Sequence, residues 1–408
     1  MRQRFAVASP LLFAMGVFAS VVVLEPAPID LLLVGVTGWW FVRERLEVST
    51  NHMILAMAYL AMSAVSQSIG GINGVEFDAA VIRDLGIETY LVVTVVGLTA
   101  IFRRSPHLIR SFVTGIVLGA VAVSTLFLAL KAIGRVPDLM YRDEHRLRVS
   151  GLFKDPNVLG PFLVFPILLL AFRNEVVRIP FGRVAALPCL AMLTLTYSRG
   201  AYIALLAALA VTVLFVALRE SITYANAALG VTALFGALLG IAFLWSSAAL
   251  PAVEVNTSRL SYQSYDDDRF STLSSAINYM VSHPLGNGVL EFTKEHGSNP
   301  HNLFLGKATD SGIAAGLIVV LVPVFAAYRA IFAAPTTKSR FSLLVGAALI
   351  GNLTVSSVIY SHHWRHFFFL VAIATAITSA TTSRDQEIDL TDKALEIRRR
   401  AQLIGQRK

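Results

Sequence analysis

Apolar runs close to the ~20 residues that cross ~30 Å of hydrocarbon recur along almost the whole chain. That feature fixes the fold class. In lipid no water is at hand to hydrogen-bond the backbone, so each run must satisfy its own N–H and C=O groups, as a helix does. The alternating pattern of an outer-membrane barrel is absent. Of 408 residues, 55% are hydrophobic and 15% charged, which excludes a soluble globular domain. The runs predict an all-α polytopic membrane protein with about 12 spans: roughly 6–24, 28–42, 52–69, 85–102, 110–133, 157–172, 180–196, 200–218, 226–248, 301–328, 341–359 and 366–381. No repeat or low-complexity linker divides the chain, so residues 1–408 read as one integral membrane domain. The start, MRQRF before an apolar stretch, resembles a signal peptide, but eleven further spans make it an uncleaved first helix.

Charge orients the bundle. With the N-terminus in the cytoplasm, the inner segments and the tail at about 382–408 hold 21 of the 34 Lys and Arg residues. The short outer loops hold only Arg83, Arg199 and Arg365. Basic residues collect on the cytoplasmic side of membrane proteins, so both termini are expected there. The net charge of +8 follows from this topology and does not point to nucleic acid. Two longer outer loops, about 134–156 and 249–300, carry most of the remaining basic residues. The tail, with Ala394, Leu395, Ile397 and Leu403 among its basic residues, reads as a helix on the inner leaflet.

Four places stand out on the outer side. Arg199 lies in Tyr197-Ser198-Arg199, the whole connection between two spans. A cation held there suits an anionic ligand, because a guanidinium donates paired hydrogen bonds and stays charged. Snorkelling to the outer headgroups is the equally weighted alternative. Arg269 follows Asp266-Asp267-Asp268 at the start of an amphipathic helix whose apolar face is expected to be Phe270, Leu273, Ile277 and Met280 or Val281. A local ion pair with Asp266 or Asp267 is, taken alone, the better explanation of it. His301, in Pro300-His301-Asn302, opens the next span; a neutral imidazole there can accept a proton, and a histidine satisfied at the water interface is the plainer reading. Gly151-Leu152-Phe153-Lys154-Asp155-Pro156-Asn157 reads as a shaped loop or a helix cap, with Lys154 available to an anion. Further along, Lys307 and Asp310 are spaced i, i+3 and are expected to pair beside a wet cavity.

Other chemistries find no support. His362, His363 and His366 flank Trp364 and Arg365 and read as an interfacial girdle, with no carboxylate set beside them in the sequence, so no zinc site is expected. Cys189 is the only cysteine and can form no intrachain disulfide. P-loop, GxSxG and Rossmann signatures are absent.

In order and spacing, GLFKDPN, TYSRGA, DDDRF, HPLGNG and PHN resemble the O-antigen ligase/polymerase family of bacterial inner-membrane proteins. The resemblance runs from about Ser150 to Gly316. It implies a twelve-helix, GT-C-like fold and transfer of a glycan from undecaprenyl diphosphate at the periplasmic face, without cofactor. The acceptor would be lipid A–core, another lipid-linked glycan or a protein side chain. The family's two essential arginines correspond to Arg199 and Arg269, and its histidine pattern H-[NSQ]-x9-G-x-x-[GTY] to His301, Asn302 and Gly312. Ala315 stands at the last position of that pattern, with Gly316 next.

The combined reading makes Arg199, Arg269 and His301 the catalytic set, with Lys154, Asn157, Asn302 and Asp310 as substrate-binding residues and no metal. Expected partners are membrane lipids, the lipid-linked donor, the glycan or lipid acceptor and other polysaccharide assembly proteins. A transporter or flippase is the competing class, because twelve spans and intramembrane charges suit it too; a non-catalytic assembly subunit is the third. The orientation has a direct test. Alkaline phosphatase fused after His145 should be active in whole cells, and after Pro335 inactive. The reverse pair of activities would overturn the charge argument.

Overall fold

The computed structural model describes residues 2–23, 26–44, 47–141, 148–172, 174–219, 264–332 and 339–378. The expected ninth span, the start of the second outer loop through residue 263 with Arg259, and the tail lie outside the described residues. Fourteen helices and no strand occur among the described residues: α1 Arg2–Phe18, α2 Pro28–Glu44, α3 Thr50–Ile72, α4 Ala79–Arg104, α5 His107–Ala132, α6 Pro156–Ala171, α7 Gly182–Leu195, α8 Arg199–Arg219, α9 Ser264–Ser282, α10 Glu291–His296, α11 Leu303–Ser311, α12 Ile313–Phe332, α13 Arg340–Ser356 and α14 Arg365–Thr378. Five of them, α3, α4, α5, α8 and α12, are long and apolar enough to cross a membrane; Ser9–Phe18, α6, α7, α13 and α14 are apolar but shorter.

Two boundaries differ from the hydropathy reading, each for a local reason. Helix α4 starts at Ala79 rather than near 85, because Asp78 caps it: its carboxylate accepts from the N–H groups of Ala80 and Val81, both at 2.9 Å. Lys294 holds the same carboxylate at 2.7 Å and, with the capping hydrogen bonds, draws its pKa below the ordinary value. The expected span 301–328 is two helices. It breaks at Gly312, whose φ of 92° is open to glycine and strained for other residues.

Small residues set the helix spacing. A Cβ on Gly16 would lie 2.1 Å from the Phe112 carbonyl oxygen, and one on Gly115 2.1 Å from that of Phe13. Helices α1 and α5 therefore touch backbone to backbone, the packing lipid-embedded helices use in place of a hydrophobic driving force. Gly351 does the same for α13 against α8, where a Cβ would meet the Ala204 oxygen at 2.4 Å. Helix α6 sits at the centre, packed by α5, α7, α8 and α13. Every side chain from Leu159 to Ala171 is buried.

Residues that the charge pattern predicts to share a side meet one another. At the end expected outside, Arg365 grips Asp30 with two hydrogen bonds of 2.6 Å, and Val22 bridges Phe153. At the end expected inside, Glu175 meets Ser339 and the Phe341 N–H, and Arg329 donates to the Thr378 carbonyl. Replacing Gly115 by Val should cost about 1–3 kcal/mol of overpacking, read as a lower melting temperature in detergent. Gly35→Val, where nothing lies within 4 Å, should leave melting nearly unchanged. Equal melting of the two variants would contradict the close α1–α5 contact.

Candidate functional site

The first part of the site is built where α7 gives way to α8. Tyr197 takes a left-handed φ of 48°, which turns the chain so that Arg199 is the first residue of α8. Such strain in a non-glycine residue costs of order 1–3 kcal/mol and persists where the surroundings impose it. Here they do. Ser198 donates to Asn157 Oδ1 at 3.0 Å, Arg148 donates to the same oxygen at 2.8 Å, and Arg148 Nε reaches the Thr196 carbonyl at 3.2 Å. Asn157 thus ties the GLFKDPN loop to the TYSRG connection. Asp155 caps α6, accepting from the Asn157 N–H at 2.7 Å, with Pro156 in the first turn as expected. Arg199 is half-buried, and its charge sits at the positive end of the α8 dipole, a place that favours an anion. Lys154 is exposed beside this loop.

The second part is α9. It begins at Ser264, so the three aspartates occupy its first turns and Arg269 follows half-buried. The buried face differs from the expected one. Thr272, Ala276 and Tyr279 face the protein with Leu273 and Met280 beside them, against Phe292 and Leu305, while Phe270, Ile277 and Val281 are exposed. Phe270, Ile277 and Val281 of the stripe that periodicity selects point away from the bundle, where lipid is an equally good partner.

The third part is His301. Its φ is 48°, and its N–H donates to Asn299 Oδ1 at 3.0 Å. The helix starts two residues later than expected, at Leu303. Asn302 is its cap, accepting from the Leu305 N–H at 2.9 Å and donating to the Ser357 carbonyl at 2.9 Å. Burial lowers the His301 pKa, and the Arg269 charge lowers it further, so the imidazole is neutral at pH 7. Arg269 and His301 are therefore within electrostatic reach. Arg199 approaches from another side: a Cβ on its neighbour Gly200 would strike Val355 at 2.5 Å and Ile359 at 3.1 Å. The first turns of α8 and α11 border the same turn, Val355 to Ile359, which leads from α13 to α14.

Asp310 lies elsewhere, in a buried polar network behind α11. Tyr360 donates to its Oδ2 at 2.5 Å and the Leu290 N–H to its Oδ1 at 3.2 Å, while Lys307 lies 3.7 Å away. Lys307 also contacts Glu88, which Ser63 holds at 3.2 Å. The expected Lys307–Asp310 pair is present, but the cavity beside it is not the wet one expected. A cavity of about 450 Å³ touches Lys307, Glu88 and His362, and its remaining wall is mostly apolar. The Lys307 charge is taken up by carboxylates inside the protein, which leaves little polarity to face the cavity. Sequence reading passed over Glu88 and Asp84, although two acids spaced i, i+4 in an apolar helix are a signal of their own.

The histidine reading also needs correction. His362 and His366 are buried rather than arranged as a girdle, and His366 Nε2 meets Asn352 Oδ1 at 3.0 Å. Asp84, far away in sequence, supplies the missing carboxylate. It lies 2.8 Å from His363 Nε2 and 3.6 Å from His362 Nε2.

The break at Gly312 is what joins these parts. Gly286 and Gly288, with φ of 78° and 104°, fold the outer loop into it. Ile313 N–H donates to the Pro284 carbonyl at 3.0 Å, Ser66 donates to the Asp310 carbonyl at 2.5 Å, and Gly288 N–H donates to Ser66 at 3.0 Å. Non-helical backbone at membrane depth is tolerated where protein groups satisfy it in this way. Gly316 then lets α12 fold back on α11, because a Cβ there would meet the Phe304 oxygen at 2.9 Å.

Residues 184–320 match a protein-family model described as O-antigen ligase. That stretch contains Arg199, Arg269, His301, Asn302 and Asp310 and leaves out Lys154 and Asn157. No curated protein matches the chain.

The His301 environment has a spectroscopic test. Imidazole NMR should show His301 titrating below the ordinary 6.5. Arg269→Ala should move that midpoint upward, part of the way back, because burial remains. An unmoved midpoint would mean that Arg269 does not act on His301.

Proposed function

From its membership of the O-antigen ligase family through residues 184–320, we propose that this chain is a bacterial inner-membrane glycosyltransferase with a twelve-span, GT-C-like fold. It moves a glycan from undecaprenyl diphosphate to an acceptor hydroxyl at the periplasmic face, with both termini cytoplasmic. The observation that carries this reading is that the matched stretch holds two half-buried arginines and a histidine kept neutral by burial and by one of those arginines.

The chemistry follows from those groups. His301 accepts the acceptor hydroxyl's proton, and the oxygen attacks the anomeric carbon. The bond from that carbon to the diphosphate oxygen breaks, and the electron pair leaves with the diphosphate. Arg199 and Arg269 donate to the departing oxygens and neutralise charge that grows along the reaction. One in-line displacement inverts the anomeric centre. The step uses no nucleotide and no metal. Asn157 and Asn302 act chiefly as positioning residues, since the first holds the Arg199 connection and the second the start of α11. Lys154 contributes positive charge at the mouth. The acceptor is another lipid-linked glycan or lipid A–core, and other polysaccharide assembly proteins act alongside.

One observation favours the competing reading of a transporter or flippase: a span broken at Gly312 beside buried Lys307, Glu88 and Asp310. Purified protein in detergent, with no ion gradient, separates the two. Wild type should transfer glycan from an undecaprenyl-diphosphate donor. Arg199→Ala and Arg269→Ala should each lose about 10²–10³-fold of the rate, with Lys recovering little because it lacks the planar fork. His301→Ala should lose about 10²–10⁴-fold. Full activity of the Arg199→Ala protein would remove the clamp; absence of transfer by folded wild type with either acceptor would favour transport.

A further inference from the structure

We propose that Asp84, His362 and His363 bind one divalent transition-metal ion, with Zn²⁺ the best chemical match. Asp84 lies in the outer part of α4, and the two histidines lie in the turn between α13 and α14. One oxygen or nitrogen from each lies within 4.8 Å of the others. The Asp84 Oδ1 to imidazole distances are 2.8 and 3.6 Å. Ligands on one tetrahedral Zn²⁺, bound at ~2.0–2.2 Å, sit roughly 3.4 Å apart. The two Asp84–imidazole distances lie within about 0.6 Å of that spacing. Two imidazoles and one carboxylate suit zinc and its transition-metal neighbours better than Mg²⁺ or Ca²⁺, which prefer oxygen ligands.

Satisfaction and charge point the same way. Asp84 is 2% exposed and His362 9% exposed. Asp84 Oδ2, both nitrogens of His362 and Nε2 of His363 are buried without a hydrogen-bond partner among the described residues. Groups of this kind are normally paired or ligating. His363 is close to Asp84 yet makes no well-aligned hydrogen bond with it. The surroundings offer no substitute, because Tyr360 stacks on His362 at 3.7 Å while its hydroxyl is committed to Asp310. The neighbouring buried charges do not balance either. Among the described residues, Asp84, Glu88 and Asp310, when ionised, oppose Lys307 alone. A divalent ion would cancel the remaining two negative charges in a region where uncompensated charge is expensive.

The ion acts as a tie and takes no part in glycan transfer. It fastens α4 to the turn whose Ser357 holds Asn302 and whose Tyr360 packs on Gly306 and holds Asp310. That turn backs α11, so the tie steadies the helix that follows His301.

The full-length protein in detergent, stripped with chelator and titrated with Zn²⁺, tests this. The wild type should retain about one zinc per chain by mass spectrometry, melt higher with zinc and melt lower with chelator. Asp84→Asn and His363→Ala should weaken binding by at least about tenfold and lose the melting response, while His296→Ala should keep both. Co²⁺ added to stripped wild-type protein should give the absorption bands of a tetrahedral site, a readout that needs no variant to fold. Wild type without zinc or cobalt bands, or variants that hold zinc as tightly as wild type, would overturn the proposal. Histidine protonation beside Asp84 would then account for the cluster.

Discussion

A lysine buried among membrane helices has to be neutralised by the protein, and the arrangement of this chain's outer half follows from that requirement. Lys307 is 1% exposed. Glu88 of α4 and Asp310 one turn further along α11 meet it, and Ser63 and Ser66 of α3 hold the acid and the backbone around it. Two helices, α3 and α4, are thereby fixed to α11. Helix α11 must remain short to stay among them, and the chain breaks at Gly312 where it would otherwise run on into α12. The Gly286–Gly288 turn fills that break. The long outer loop is drawn down onto the bundle, and Arg269 comes into reach of His301 as a result.

Two further sets of hydrogen bonds explain why two left-handed residues survive next to the candidate chemistry. Tyr197 is held by the Thr196–Ser198–Asn157 hydrogen bonds, and His301 by Asn299 ahead of it and the Asn302 cap behind. Strain of this kind persists when neighbours over-determine the backbone. The price is met by capping groups and close helix contacts, and the return is a fixed direction for Arg199 and His301. The residues that touch substrate and the residues that aim them are then different sets. In the proposed transfer, Arg199, Arg269 and His301 belong to the first; Arg148, Asn157, Asn302 and Gly312 belong to the second.

Much of this was legible in the chain itself. Helix positions follow from hydrocarbon thickness, and Asp155-Pro156 announces the start of α6 because a carboxylate cap and a proline both fit a first turn. The pair at Lys307 and Asp310 follows from helical spacing. Gly312 was seen as a motif position, but its role as a break was hidden, because one glycine in an apolar run is compatible with a continuous helix. The face of α9 was misjudged at Phe270, Ile277 and Val281, since beside a bilayer an apolar stripe can turn to lipid as readily as to protein. Asp84 and Glu88 were missed as partners of residues more than two hundred positions away, which no local spacing reveals. Arg148 lay in a basic loop with nothing to distinguish it from its neighbours.

The central claim is that two guanidinium groups and one imidazole, brought by separate helices to one outer turn, form a single diphosphate site. A cryo-electron microscopy structure with an undecaprenyl-diphosphate-linked glycan bound tests it most directly. The account predicts diphosphate density between Arg199 and Arg269, with the first sugar facing His301. Diphosphate bound against Lys307 or Arg329 in the apolar cavity, away from both arginines, would contradict it.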